Sequence, residues 1–242
     1  MGQVSLRIST GIKPLDELLG GWERGRLTLL VGRTGVGKTT LLLSSAIAMC
    51  EEGDVIYIDC EGNFSGGLVM RGWPPEGLRI SSPASPEDQL KTVKGLDTLG
   101  RTFLTSVAAI IVDGIAFHYH PWIRGAEDDA ARGAAQSWLE AQFYQLSTLA
   151  RKYNIAVIAS SWPTSEPEAA PWEEGTGIVG GFAASAFSRT ILEMFFISDT
   201  RRGVRVVKHQ SPELVRRSVE IELDDLPLFR RSGGVGEPWP SS

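Results

Sequence analysis

Short unbroken apolar runs alternate with longer stretches of helical periodicity along most of this chain. Residues 27–31 (LTLLV), 55–58 (VIYI), 108–112 (AAIIV) and 156–159 (AVIA) are continuously apolar, the pattern of strands covered on both faces. Residues 38–52, rich in Leu, Ala and Ser and followed by Gly53, read as a helix and its stop signal. Ahead of the fourth strand, Leu139, Phe143, Leu146, Ala150 and Tyr153 recur at spacings of four and three, one apolar helix face. That aromatic stripe reads as core, not as a cofactor box. Strands alternating with helices predict an α/β fold, a mostly parallel sheet flanked by helices.

After about residue 185 the pattern changes. Residues 190–196 and 204–208 flank a polar turn at 198–203, and residues 218–223 alternate polar with apolar. These predict antiparallel strands that extend the sheet at its C-terminal end. Arg201 and Arg202 fall in that turn and read as a solvated tip. Residues 1–231 are expected to form a single domain, and residues 232–242 (SGGVGEPWPSS) a disordered tail.

Composition narrows the class. The 242 residues carry 24 Lys and Arg against 29 Asp and Glu, a net charge of −5, and 42% are apolar, so the chain can bury a full core. No apolar stretch approaches the roughly 20 residues of a membrane span. The opening MGQVSLRIS has no apolar h-region, so no signal peptide is expected. With two cysteines, Cys50 and Cys60, neither a disulfide framework nor a zinc site is predicted, and a cytoplasmic protein is expected. The acidic balance speaks against non-specific wrapping on nucleic acid.

The chemistry concentrates at residues 32–39, GRTGVGKT, which match G-x-x-x-x-G-K-[ST]. By chance this pattern would occur in about 1% of chains of this length; here it follows a predicted strand and opens a predicted helix. Gly35 and Gly37 allow positive φ, which turns successive N–H groups inward as an anion nest. Lys38 reaches the β- and γ-phosphates, and the Thr39 hydroxyl ligates Mg2+. The nucleotide contacts are thus expected from Gly32, Arg33, Thr34, Gly35, Val36, Gly37, Lys38, Thr39 and Thr40, with ATP and Mg2+ as cofactors. Asp113, ending the strand AAIIVD, stands where open α/β sheets bind ligands and can hold Mg2+ through water; a helix N-cap is the plainer alternative. Glu61, following VIYI in Asp59-Cys60-Glu61, is the candidate to polarise an in-line water, against a solvated loop glutamate.

These elements, in this order, resemble the RecA-like recombinase family, in particular the archaeal RadA/RadB-type paralogues. ISTGIKPLDELLGGW is similar to the segment preceding that family's phosphate loop, VIYIDCEGNF to the strand with the catalytic glutamate, and IIVDG to the Walker B strand. The resemblance spans roughly residues 7–225. It implies a RecA-like P-loop NTPase core in which Lys38 and Thr39 bind phosphate and metal, Asp113 organises Mg2+ and Glu61 activates water. A chain that starts at the ATPase core matches the short RadB-like paralogues better than full RadA.

Two departures stand out. The family ends its fourth core strand with Asn-Gln, the Gln sensing the γ-phosphate; here Ser160-Ser161-Trp162 stands there, so Ser161 or Trp162 replaces the sensor amide. Of the family's two DNA loops, the second corresponds to residues 163–181, which carry Glu166, Glu168, Glu173 and Glu174 and no Lys or Arg. The first, residues 118–132, offers His118, Tyr119, His120, Trp122 and Arg124 for base stacking and phosphate contact, or equally for an interface. Lys208 resembles the strand from which RecA-like proteins reach a neighbour's ATP, which needs a homo-oligomer.

The expected function is therefore a slow P-loop ATPase that assists homologous recombination and DNA repair. Its implied partners are a full-length RadA-type recombinase and, weakly, single-stranded DNA, with no membrane. The alternatives are a nucleotide-gated adaptor, or a KaiC-like regulatory ATPase with little DNA affinity.

Overall fold

The computed structural model describes residues 6–64, 74–163 and 181–230. The strands in chain order are β1 (Arg7–Ile8), β2 (Trp22–Glu23), β3 (Leu27–Gly32), β4 (Asp54–Asp59), β5 (Leu78–Ser81), β6 (Val107–Asp113), β7 (Ala156–Ser161), β8 (Thr190–Phe196), β9 (Arg201–Lys208) and β10 (Ser218–Glu222). The main sheet has the order β10-β9-β8-β3-β7-β6-β4-β5, while β1 and β2 form a separate antiparallel pair. From β8 to β5 all neighbours are parallel. Strands β9 and β10 continue antiparallel from β8, as the alternating pattern predicts.

Helix α1 (Lys13–Leu19) precedes β2, and α2 (Lys38–Met49) follows β3. Between β5 and β6 come α3 (Pro86–Gly95) and the one-turn α4 (Arg101–Leu104); between β6 and β7 come α5 (Tyr119–Arg124) and α6 (Asp129–Tyr153). Helix α7 (Gly181–Phe187) leads into β8, and α8 (Pro227–Arg230) closes the described chain.

The unbroken apolar strands work because consecutive residues feed opposite layers. Leu30, Tyr57, Ile111 and Ile158 join Leu41, Leu42 and Ile47 of α2 on one face. Their successors Val31, Ile58, Val112 and Ala159 meet Leu139, Phe143 and Leu146 of α6 on the other. Each such Leu or Phe removed from water contributes roughly 1.5–3 kcal/mol. Asp128 caps α6, its side chain accepting from the Ala131 N–H at 2.7 Å, and Asn154 ends it in a left-handed conformation.

Two details depart from the sequence reading. Helix α2 stops at Met49 rather than Glu52, and Glu51 and Glu52 continue in a tighter turn onto the Ala48 and Met49 carbonyls. The segment taken as the first DNA loop is largely helical, forming α5 and the start of α6, because Tyr119 is pulled into the core. The Tyr119 hydroxyl donates to the Pro86 carbonyl at 2.8 Å and accepts from Gln142 Nε2 at 2.7 Å. The predicted acidic loop, apart from Pro163 and Gly181, and the predicted tail lie outside the described residues.

The parallel strands place Gly32, Asp59, Asp113 and Ser160 at one end of the sheet. Asp59 pairs with Asp113 in register, and Leu30 with Ser160. This is the carboxyl end, where open α/β sheets hold their ligands.

Candidate nucleotide site

Each predicted element of the phosphate site converges here. Gly35 and Gly37 have φ of 77° and 99°, the left-handed conformations a nest requires. Gly37 is the N-cap of α2 and offers no side chain to the helix's first N–H groups, which are left for an anion. Arg33, Thr34 and Gly35 are exposed at the rim, Val36 is buried beneath it, and Thr40 is half-buried in the first turn of α2. Lys38 is only 6% exposed, and its Nζ donates to the Gly32 and Arg33 carbonyls at 2.9 and 3.1 Å. Burial holds its pKa below the usual lysine value, with Glu61 and Asp113 pulling the other way.

Asp113 is fixed by three hydroxyls. Thr39 Oγ1 and Tyr57 Oη donate to Oδ2 at 2.6 and 3.0 Å, and Ser160 Oγ donates to Oδ1 at 2.6 Å. The Gly114 N–H in turn donates to Ser160 Oγ at 2.7 Å. Burial pushes the Asp113 carboxyl above its usual range, and the three hydrogen bonds oppose that shift. The N-cap alternative for Asp113 finds no support, since its carboxylate is spent on these hydroxyls.

Glu61 lies over Gly114, next to Asp113. Its Oε2 accepts from Asn63 Nδ2 at 3.0 Å, whereas its buried Oε1 has no hydrogen-bond partner. A buried acceptor left unmatched is costly unless something fills it. Burial first, then the neighbouring Asp113, raises the Glu61 pKa; Asn63 and Lys38 lower it. Asn63 also donates to Thr39 Oγ1 at a long 3.4 Å, so its amide spans the glutamate and the threonine. Asp59 holds this turn by accepting the Asn63 and Phe64 N–H groups at 3.1 and 2.8 Å.

Glycine nest, buried lysine, a threonine and aspartate in contact, and an unmatched carboxylate oxygen are the groups a nucleoside triphosphate with Mg2+ needs. Among the described residues, no three His, Cys, Asp or Glu side chains converge as a metal cage. A metal here would share Thr39, Asp113, water and the phosphates, which suits Mg2+.

Residues 3–161 match the family model described as an AAA domain. A protein from Thermococcus sibiricus called "DNA repair and recombination protein RadB" is 32% identical over 164 residues, 64% of this chain and 67% of that protein. One of the same name from Thermococcus kodakarensis is 34% identical over 158 residues, 62% and 68% of the two chains. A third, from Methanococcoides burtonii, is 28% identical over 218 residues, 87% and 92% of the two chains. The chain belongs to this family, as a RadB-type paralogue of the RecA-like recombinases.

At the sensor position this RadB-type chain places no amide. Ser160 points to Asp113, and Trp162 packs against Phe117 and His120 with ring centroids 6.0 and 5.9 Å apart. Of the aromatics expected at DNA, Tyr119 is fully buried and cannot stack on a base. Trp122 stacks on Tyr119 and meets Trp138 edge-on at 5.3 Å, and His118 Nε2 lies 3.0 Å from the Pro83 carbonyl. Arg124 remains exposed and His120 half-buried. Lys208 turns to its own chain: Nζ donates to the Ser185 and Ser188 carbonyls at 2.5 and 3.0 Å, at the end of α7. Arg202 is not a solvated tip. It is buried and donates from Nε to the Val36 carbonyl of the phosphate loop at 2.9 Å.

Sequence reasoning missed Tyr57, Asn63, Gly114 and Arg202. The first three adjoin recognised motifs, in VIYID, CEGNF and IVDG. Arg202 carries no local signal, because its partner is 166 residues away.

Proposed function

We propose that this protein binds MgATP in the loop from Gly32 to Thr40, hydrolyses it slowly, and acts in DNA repair and recombination beside a full-length RadA-type recombinase. The observation that carries the hydrolytic reading is Glu61, whose side chain lies over Gly114 and whose buried Oε1 has no hydrogen-bond partner. Lys38 and the N–H groups of the glycine nest would hold the β- and γ-phosphates, and the Thr39 hydroxyl and the Asp113 carboxylate would hold Mg2+. Mg2+ held there would supply positive charge beside the phosphates. Glu61 Oε1 accepts a hydrogen bond from the attacking water and takes its proton, while Asn63 keeps the other oxygen in place. Slow turnover follows from the absence of an amide where the family carries its sensor glutamine.

A second reading, a nucleotide-gated adaptor, is favoured by Trp162. That side chain packs on Phe117 and His120 of α5 and the turn before it, and it carries no amide. Mg-dependent ATP hydrolysis, measured with and without single-stranded DNA and with Lys38→Ala as the blank, separates the two. The ATPase reading expects turnover in the wild type and a roughly 100- to 10,000-fold lower kcat in Glu61→Gln with nucleotide binding retained. Binding without turnover in the wild type would leave the adaptor. Stimulation by DNA that is lost in Arg124→Ala would assign Arg124 to DNA contact.

A further inference from the structure

Arg202 stands in β9, beyond the residues 3–161 that match the family model. Its side chain is nearly enclosed, the residue 7% exposed, and the four hydrogen bonds it makes among the described residues all run to backbone carbonyls. Nε donates to Val36 at 2.9 Å, and Nη1 to Ser198, Arg201 and Asp199 at 2.6, 2.9 and 3.2 Å. The guanidinium lies over the Phe196 ring, 4.7 Å from its centroid. A buried cation satisfied by neutral carbonyls alone keeps its full charge, an arrangement that costs stability unless an anion comes near.

The Val36 contact has a direction. Across a planar trans peptide the carbonyl and the following N–H point to opposite sides. With the Val36 carbonyl drawn toward Arg202, the Gly37 N–H faces away from it. That N–H makes no backbone hydrogen bond among the described residues, and Gly37, at φ 99°, is the second glycine of the nest. Holding this one peptide plane fixes a donor before any ligand arrives, and preorganised donors bind more tightly than donors that must turn.

We propose that Arg202 is a phosphate-positioning residue: it locks the Val36–Gly37 peptide so that the Gly37 N–H is presented to the nucleotide's phosphates, and it adds buried positive charge behind the loop. The antiparallel extension then belongs to the phosphate site as well as to the sheet. This rests on the nucleotide-binding reading above.

The test is the affinity of the purified full chain for MgADP and for inorganic pyrophosphate, by titration calorimetry, in the wild type, Arg202→Gln and Arg202→Lys, with thermal unfolding alongside. Arg202→Gln is expected to weaken both ligands about tenfold, the loss of one charge-assisted contact. Pyrophosphate carries no base or ribose, so an equal loss for both ligands, in a variant whose thermal unfolding shows it fully folded at the assay temperature, places the effect at the phosphates. Arg202→Lys, which cannot hold Val36 and the turn together, should fall between. Affinities within twofold of wild type in folded Arg202→Gln overturn the assignment. Should that variant not fold, wild-type affinity in Arg202→Lys overturns it. A wild-type chain that binds neither ligand would instead refute the nucleotide reading itself.

Discussion

Gly114 lies directly under the Glu61 side chain: a Cβ built on Gly114 would stand 2.5 Å from Glu61 Cγ and 2.8 Å from Oε1. Its φ of 77° is also one that side-chain-bearing residues rarely adopt. The glycine of IIVDG thus makes room for the glutamate of DCEG, and the two motifs fit each other across adjacent strands. Gly114→Ala is expected to displace Glu61 and to cost about 1 kcal/mol or more of stability from backbone strain. Because a displacement near 1 Å at a reacting group lowers turnover about 100-fold, kcat should fall by that order while MgADP affinity stays near wild type. Steady-state hydrolysis and calorimetry check both, and wild-type kcat in the variant would show that Glu61 does not need its present position.

The pH profile follows from the surroundings of Glu61. A base must be ionised, so kcat falls as pH drops through its pKa. Burial and the adjacent Asp113 hold that pKa above the usual carboxylate range, so the acid limb should lie at higher pH than for a free glutamate. The Asn63 amide hydrogen-bonds the ionised form and pulls the pKa down. Asn63→Ala should therefore move the acid limb further up, with activity at high pH affected less. The measurement is kcat against pH for both proteins, and an unmoved limb would mean that the Asn63 contact is not made during turnover.

How far the sequence spoke for itself depended on where each partner lies. The four buried strands and the α6 face were readable because each is a local pattern, apolar runs or residues every three and four positions. Lys38, Thr39, Asp113 and Glu61 could be singled out because they stand in short motifs ordered along the chain, and the fold gathers all four at one place. Tyr119 was misjudged because an aromatic beside histidines looks like a stacking surface until Pro86 and Gln142 are seen to claim its hydroxyl. The pair β1 and β2 was missed for want of length, at two residues each, and β5 because Arg79 and Ser81 interrupt its apolar run. Arg202 escaped for a different reason, since an arginine in a polar turn declares its charge but not the distant carbonyl it serves.

Tyr57 gives a stability prediction. Its hydroxyl is one of three donors to a carboxylate that is 1% exposed. Hydrogen bonds to charged groups are worth roughly 1.5–3 kcal/mol, and Thr39 and Ser160 remain to share the load. Tyr57→Phe should cost about 1.5 kcal/mol in urea unfolding, with the denaturant slope unchanged. It also removes a contact that lowers the Asp113 pKa, so the carboxyl should protonate at higher pH. An unchanged midpoint would show that the two other hydroxyls suffice.

Lys208 separates two roles for the C-terminal strand. A cation reaching a neighbour's nucleotide must leave its own chain, yet Nζ is bound here to the Ser185 and Ser188 carbonyls, where α7 ends and its dipole is negative. Its pKa is held below the usual lysine value by burial first and then by Arg189, so the ammonium already gives up some hydration for these contacts. The cis role predicts that Lys208→Met, which keeps the aliphatic stem, loses about 1 kcal/mol of stability, with kcat per chain unchanged and independent of protein concentration. The trans role predicts the opposite pair: stability kept, and a specific activity that rises with protein concentration in the wild type but not in the variant. Urea unfolding together with hydrolysis assayed over a hundredfold range of concentration distinguishes them, and the two carbonyl contacts favour the first.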